Sequence, residues 1–241
     1  MNNAYDYLAQ FYDELMGINY KDWAKYIISF LNDSKKDILD LGCGTAKLSN
    51  ELHNQNYNIT AVDSSKAMLN IAWNNFGNTF PIINQDATKL DLGKKFDAVI
   101  STCDVINYIL EDDSLLRIFE NVRKHLLQKG KFIFDISSKY KLTKLNGNNT
   151  FFEDRENVTY IWDNNIENNI LEMDITLFKY DCSLDCYNRF DETHKQRVWE
   201  VSEVISHLRS SGFVVEGVYE FFTKDAPTDL TERILIVAGS N

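Results

Sequence analysis

The chain has 241 residues, 44% of them hydrophobic, with 25 Lys and Arg against 36 Asp and Glu, a formal net charge of -11. That length can bury a full core in one large α/β domain, or one domain with an elaboration, and the acidic balance disfavours tight nonspecific contact with phosphate backbones, so no nucleic-acid partner is expected. There is no basic, apolar leader and no run of about 18 to 20 apolar residues, so the expectation is a cytoplasmic protein with no membrane contact, a monomer or a homodimer.

In chain order, residues 4–15 and 20–31 read as helices, 37–41 as a strand, 46–54 as a helix, 57–63 as a strand, 66–74 as a helix opened by the Ser64-Ser65 cap, and 80–85 as a strand. A strand over 96–102, a helix over 114–127 stopped at Gly130 and a strand over 131–136 follow, and the crossovers make this half parallel. After Ile136 the texture changes. Between 150 and 198 short runs alternate with period two, cleanest where Leu171, Met173, Ile175 and Leu177 alternate with Glu172, Asp174 and Thr176. Asn-rich turns are expected at Asp163-Asn164-Asn165 and at Asn168-Asn169, which makes the region antiparallel with one apolar face. A helix over 199–210, ended at Gly212, and strands over 213–222 and 234–238 close the chain.

The run ILDLGCGTA, residues 38–46, carries the strongest chemistry: an apolar strand ends in an acid and two glycines one residue apart, then enters a helix. Gly42 and Gly44 let the backbone turn tightly and approach a ligand, and Asp63 ends the next apolar run about 20 residues on, where a carboxylate can accept from both hydroxyls of a ribose. The dinucleotide fingerprint wants a third glycine where Lys47 stands, which weakens a pyrophosphate reading. Asp40 would repel a phosphate but suits an ammonium. S-adenosylmethionine (SAM) has adenine, ribose, an ammonium and a sulfonium, and no phosphate.

At these residues the chain resembles the class I SAM-dependent methyltransferases, with Thr45-Ala46 where that family usually has Thr-Gly. The resemblance implies a Rossmann-like, seven-stranded, mostly parallel sheet with flanking helices and a reversed last strand. Residues 1–138 would hold the N-terminal helices and the SAM-binding half, 139–198 an antiparallel β insertion acting as a lid, and 199–241 the rest of the domain. It further implies cofactor contacts from Asp40, Gly42, Cys43, Gly44, Asp63 and Ser64. Asp86 and Ala87 would meet adenine, with a plain helix cap as the other reading of Asp86, and Met68 would pack on adenine or in the core. Thr102 and Cys103 would lie near the donor's amino-acid and methyl groups, and Asp104, Asn107 and Tyr108 near the acceptor, with local capping as the other reading of Asp104. The N-terminal run holding Tyr5, Tyr12 and Tyr20 is similar to the closing helix of sugar-amine and glycine N-methyltransferases. There Tyr12 best matches a tyrosine bonded to the SAM carboxylate, unless it only packs an amphipathic cap.

For proton transfer the candidates are His194, Asp104 and Tyr12. His194 lies beside Arg189 and Arg197, which could orient an anionic acceptor, although the stretch also reads as a solvated charge run. Cys43, Cys103, Cys182 and Cys186 form no CxxC pair and have no histidine at zinc spacing, so reduced thiols and no metal are expected. The sequence therefore predicts methyl transfer from SAM, with S-adenosylhomocysteine (SAH) as product, to an N or O atom of a small polar metabolite. A noncatalytic SAM-binding regulatory module and an NAD-dependent oxidoreductase are the alternatives.

Overall fold

The computed structural model describes residues 4–32 and 36–240. Residues 1–3 and 241, the ends of the expected terminal units, lie outside the described residues. A seven-stranded sheet is built from β1 (Asp37–Leu41), β2 (Asn58–Asp63), β3 (Ile82–Asn84), β4 (Phe96–Ser101), β5 (Leu126–Ser137), β10 (Phe213–Glu220) and β11 (Arg233–Ser240), where β6 to β9 belong to a second sheet. Its order is β10-β11-β5-β4-β1-β2-β3, with β11 antiparallel to both neighbours and the other pairings parallel. The reversed strand is therefore β11, paired from Arg233↔Ser137 to Gly239↔Lys131.

The helices α2 (Tyr20–Ile28), α3 (Lys47–His53) and α4 (Lys66–Phe76) flank this sheet, as do α5 (Asp112–His125) and α6 (Val201–Ser210). One core contains Phe96, Phe119, Phe132, Phe134 and Trp199; the other contains Trp23, Ile27, Ile38, Leu52 and Leu69. Strands buried on both faces explain why β1, β4 and β11 read as continuous apolar runs. The fold places the loops that follow β1, β2, β3 and β4 at one sheet edge, the crevice where open α/β sheets bind ligands.

The second sheet is antiparallel, in the order β6 (Thr150–Asp154), β7 (Val158–Glu167), β8 (Ile170–Asp181), β9 (Cys186–Arg197). Leu171, Met173, Ile175 and Leu177 all point into it. Asn168 and Asn169, with φ of 51° and 63°, make the two-residue turn that matches strand twist. The expected turn at Asp163-Asn164-Asn165 is instead strand interior. The segment before β6 hydrogen-bonds to this stretch of β7: Asn164 N–H donates to Asn149 O at 3.2 Å, and Ile166 N–H to Asn148 Oδ1 at 2.9 Å.

The expected single helix over 4–15 is also broken. Tyr5 has φ 72°, a 3-10 turn covers Leu8–Gln10, and α1 is only Tyr12–Met16, ended by Gly17 at φ 57°. The cause lies in the second sheet. The Glu192 carboxylate accepts from the backbone N–H groups of Tyr7 (2.9 Å) and Leu8 (3.1 Å), serving orphan donors that a longer helix would have consumed. Leu8, Phe11 and Leu15 complete the dock by packing against Val158, Ile175 and Leu177. Elsewhere α5 starts two residues before its expected position, and Leu126 already pairs with Phe96 where the helix was expected to continue. Among the described residues no helix is long and apolar enough to cross a membrane.

Candidate active site

A cavity of about 630 Å³ opens at the strand ends, and four loops and the N-terminal segment line it. The first loop leaves β1. Gly42, at φ 81°, and Cys43 both donate to Val62 O (2.7 and 3.0 Å), so the turn is pinned to β2; a Cβ on Gly42 would overlap Val105. Gly44, at φ 55°, donates its N–H to Asp63 Oδ2 at 2.8 Å, and Ser65 N–H donates to Oδ1 at 2.8 Å. Burial pushes the Asp63 carboxyl above its usual range against the pull of these N–H groups. An ionised carboxylate accepts about four hydrogen bonds, so Asp63 keeps capacity for hydroxyls of a bound ribose.

Ser64, Ser65, Lys66 and Met68 form the next wall, and Gln85, Asp86 and Ala87 the one after it. Both readings of Asp86 coexist: Oδ1 caps the turn by accepting from Thr88 N and Thr88 Oγ1, each at 2.8 Å, while the residue lines the cavity. After β4 come Thr102, Cys103, Val105, Tyr108 and Ile109, and the N-terminal segment closes the space with Ala4, Tyr5, Asp6 and Tyr12. Burial pushes the Tyr5, Tyr12 and Tyr108 phenols up, so all three are neutral donors and acceptors. Lys66 is the cation among the lining residues, against Asp6, Asp63 and Asp86. Such a donor set fits a ribose-bearing, phosphate-free, cationic cofactor and is poor for a pyrophosphate.

The structure thus brings Tyr12, Gly42, Gly44, Asp63, Ser64, Met68, Asp86, Ala87, Thr102, Cys103 and Tyr108 to one cavity. It does not bring the others. Asp40 does not line it, because alternation along β1 turns Leu41 toward the space and Asp40 toward α3, where Ser49 Oγ donates to Oδ2 at 2.5 Å, and Cys43, in the turn between the two glycines, packs against the core beside α2 and α3 instead. Asp104 is ion-paired to Arg233 at 2.6 Å and accepts from Ser137 Oγ at 2.8 Å, outside the residues that line the cavity. Asn107 spends its amide on Ser137 and Arg197 backbone atoms. Arg197 pairs with Asp112 at 3.0 Å and stacks on Trp199, and Arg189 sits on the exposed face of β9 paired with Asp191 at 2.8 Å, so neither lines the cavity. His194 is buried behind Tyr108, with its Nδ1 at 3.0 Å from the phenol oxygen. Cys182 and Cys186 are free, exposed thiols, and no His, Cys, Asp or Glu cluster suited to a metal occurs among the described residues.

Sequence reasoning missed Asp13, which accepts from Thr45 Oγ1 at 2.8 Å and pairs with Lys47 at 3.3 Å, locking the N-terminal segment onto the glycine loop. Lys47, where a third glycine would stand, therefore has a docking role. Also missed was Glu192. Its signal was present: Glu192, His194 and Gln196 are buried while Asp191, Thr193 and Lys195 are exposed, a period-two pattern inside what reads as a charge run.

Asp40 carries a testable consequence. Burial raises its carboxyl from 3.8 to about 7, against the Ser49 hydrogen bond. The folded state then binds more protons than the unfolded one between these values, so stability from this group is full below pH ~4 and is lost as pH rises to ~7. Asp40→Asn should remove that loss, gaining on the parent protein across this window by at most about 4 kcal/mol, as read from paired denaturation curves at pH 4.5 and 8.

The matches to known proteins agree with this geometry. A family model described as "Methyltransferase domain" matches residues 38–130. The "Putative methyltransferase YqeM" of Bacillus subtilis (strain 168) is 32% identical over 240 residues, covering 97% of this chain and 96% of that protein. The crystal structure of a SAM-dependent methyltransferase from Clostridium acetobutylicum ATCC 824 superposes with a TM-score of 0.89 at 34% identity, over 99% of this chain and 100% of the other. The sugar N-methyltransferase KedS8 from Streptoalloteichus sp ATCC 53650 shares the fold, with a TM-score of 0.82 at 18% identity over 100% of this chain and 96% of the other. With a full-length relative at this identity, the glycine loop pinned to Asp63 and the reversed strand in place, the chain belongs to the class I SAM-dependent methyltransferases.

Proposed function

We propose that this enzyme transfers the methyl group of SAM directly to a nitrogen or oxygen of a small polar metabolite. The observation that carries the reading is the cavity itself: about 630 Å³, lined by Asp63 and Asp86 from the loops after β2 and β3 and by Tyr5, Tyr12 and Tyr108, with the N-terminal segment among its walls. A space of that size, shared with a cofactor, suits a small acceptor. The fold held in common with KedS8, a sugar N-methyltransferase, is compatible with such an acceptor.

Bound SAM supplies an electrophilic methyl on a sulfonium that is already a good leaving group. The chain's own residues then have three tasks. Asp63 would hold the ribose hydroxyls and Asp86 the adenine amine, which would fix where the methyl end lies. Tyr12 would donate its neutral phenol to the carboxylate of the amino-acid end, with the backbone of Thr102 and Cys103 beside it. The docked N-terminal segment, with the second sheet behind it as a lid, excludes water and holds the acceptor in line.

Calorimetry with SAM, SAH and NAD, followed by SAH release over a panel of amines, carboxylates and phenols, tests this. Micromolar SAH binding, no NAD binding and turnover of at least one acceptor are expected. Tight SAH binding with no turnover across the panel would favour a regulatory module, and NAD binding alone would remove the methyltransferase reading of the pocket.

A further inference from the structure

Glu192, His194, Tyr108 and Tyr5 form one hydrogen-bonded chain running from the second sheet into the cavity. Glu192 Oε1 lies 2.6 Å from His194 Nε2, His194 Nδ1 lies 3.0 Å from Tyr108 Oη, and Tyr5 Oη lies 2.7 Å from Tyr108 Oη. His194 is 1% exposed and Glu192 5%, so neither is served by bulk water.

The direction of every proton in this chain is fixed by its far end. Burial would raise the Glu192 carboxyl, but hydrogen bonds from His194 and from the Tyr7 and Leu8 backbone N–H groups hold it below the ordinary range, so it is an anion that only accepts. Tyr5 N–H points between Oε1, at 3.3 Å, and His194 Nε2, at 3.4 Å. The far shorter 2.6 Å contact with the Glu192 anion puts a proton on Nε2, and in a neutral ring Nδ1 is then an acceptor. Tyr108 donates to that Nδ1, and its oxygen accepts from Tyr5 and hydrogen bonds with Gln196 as well. Tyr108 has no capacity left. Tyr5 is the open end: its proton is committed to Tyr108, so toward the cavity it offers lone pairs and no donor.

We propose that this chain is a proton conduit from the methyl acceptor to His194, and that the acceptor it serves is a primary or secondary ammonium; the proposal rests on the methyl-transfer reading of the same cavity. A proton leaves the acceptor nitrogen for Tyr5 Oη as the Tyr5 proton passes to Tyr108 and the Tyr108 proton to His194 Nδ1. Both tyrosines end unchanged, the acceptor becomes a neutral amine with a free lone pair, and the imidazolium is paired with Glu192. The amine nitrogen then forms its bond to the methyl as the methyl–sulfur bond breaks, leaving SAH and a methylated ammonium.

Two observations favour an ammonium over a hydroxyl. An imidazole is matched within about 4 units to an alkyl ammonium and is far too weak for an alcohol. In addition, the N-terminal segment and the loop after β4 present the rings of Tyr5, Tyr12 and Tyr108 to the cavity, faces suited to a cation, while Lys66 lies on the wall that follows β2. The charged and titratable groups acting on the conduit are Glu192 on β9, Tyr12 on α1, and Asp104 after β4 with its partner Arg233 on β11.

The test uses the full chain saturated with SAH and labelled with 15N-histidine. The His194 ring should carry its proton on Nε2, and Tyr108→Phe should move the Nδ1 resonance toward that of an unbonded nitrogen. A proton on Nδ1 in the resting SAH complex overturns the conduit while SAH binding stands; failure of SAH to bind overturns the cofactor reading itself. On amines from the acceptor panel, Tyr5→Phe and His194→Gln should each lower kcat about a hundredfold near neutral pH with the KM for SAM unchanged. That loss should shrink as pH approaches the acceptor's own ammonium pKa, where the amine arrives deprotonated. A loss uniform in pH, or turnover confined to hydroxyl acceptors, overturns the proposal. Tyr5→Phe keeps the ring that packs edge-on against Tyr12 and His194, so it serves if His194→Gln fails to fold.

Discussion

Arg233→Met should lower the unfolding free energy by about 3–5 kcal/mol, seen as a lower urea midpoint at unchanged slope. The guanidinium lies 2.6 Å from Asp104 and 3.0 Å from Asp135, and Asp135 is fully buried. Burial raises both carboxyls; Arg233 brings Asp104 below its usual range, while Asp135, the deeper of the two, stays above it. Removing the cation takes the ion-pair partner from two neighbouring buried carboxylates, the costly way to break such a group. A partial rescue is expected from Asp104→Asn in the Arg233→Met background, since it removes one of the two charges. Full additivity of the two changes would mean that the three groups are not coupled.

The same cluster controls the site. Cys103 and Asp104 have φ of 63° and 66°, a left-handed pair that costs non-glycine residues about 1–2 kcal/mol each. Asp135 holds that turn by accepting from Cys103 N–H at 3.1 Å and Asp104 N–H at 2.9 Å. The turn presents Thr102, Cys103, Val105 and Tyr108 to the cavity. Arg233→Met should therefore weaken SAH binding as well as stability.

What the sequence displays of this protein follows from how local each signal is. The glycine loop, Asp63 and the succession of strands and helices along the chain are legible because a turn, an acid at a strand end and apolar runs depend on near neighbours. Likewise Leu171 to Leu177 show their buried face by alternation alone. Partners far apart in the chain are a different matter. Glu192 meets Tyr7 across 185 residues; the alternation around Glu192 marks its buried face, but nothing near either residue names the other as its partner. For the same reason Asp104, Arg189 and Arg197 read as site residues: a charge beside a motif resembles a functional group until its ion-pair partner is known. The broken N-terminal helix has a similar origin, because its apolar spacing is helical while its N–H groups are claimed by the second sheet.

Asp63→Ala should lower SAH affinity by about 100-fold or more while changing ligand-free stability by no more than about 1 kcal/mol. Two carboxylate–hydroxyl hydrogen bonds to ribose, at about 1.5–3 kcal/mol each, account for the first number. The second follows from the carboxyl's own position. Asp63 secures Gly44 and Ser65 through 2.8 Å bonds, which favours the fold, but burial lifts its proton affinity, which means the empty cavity holds the charge at a cost. These two contributions oppose each other in the free protein and act together only when hydroxyl donors arrive. Calorimetric titration of SAH beside urea denaturation of the same preparation separates them. If affinity falls less than tenfold, Asp63 is a loop anchor and the ribose lies elsewhere. If stability falls by several kcal/mol, the loop needs the carboxylate to fold, and the lost affinity would say nothing about ribose.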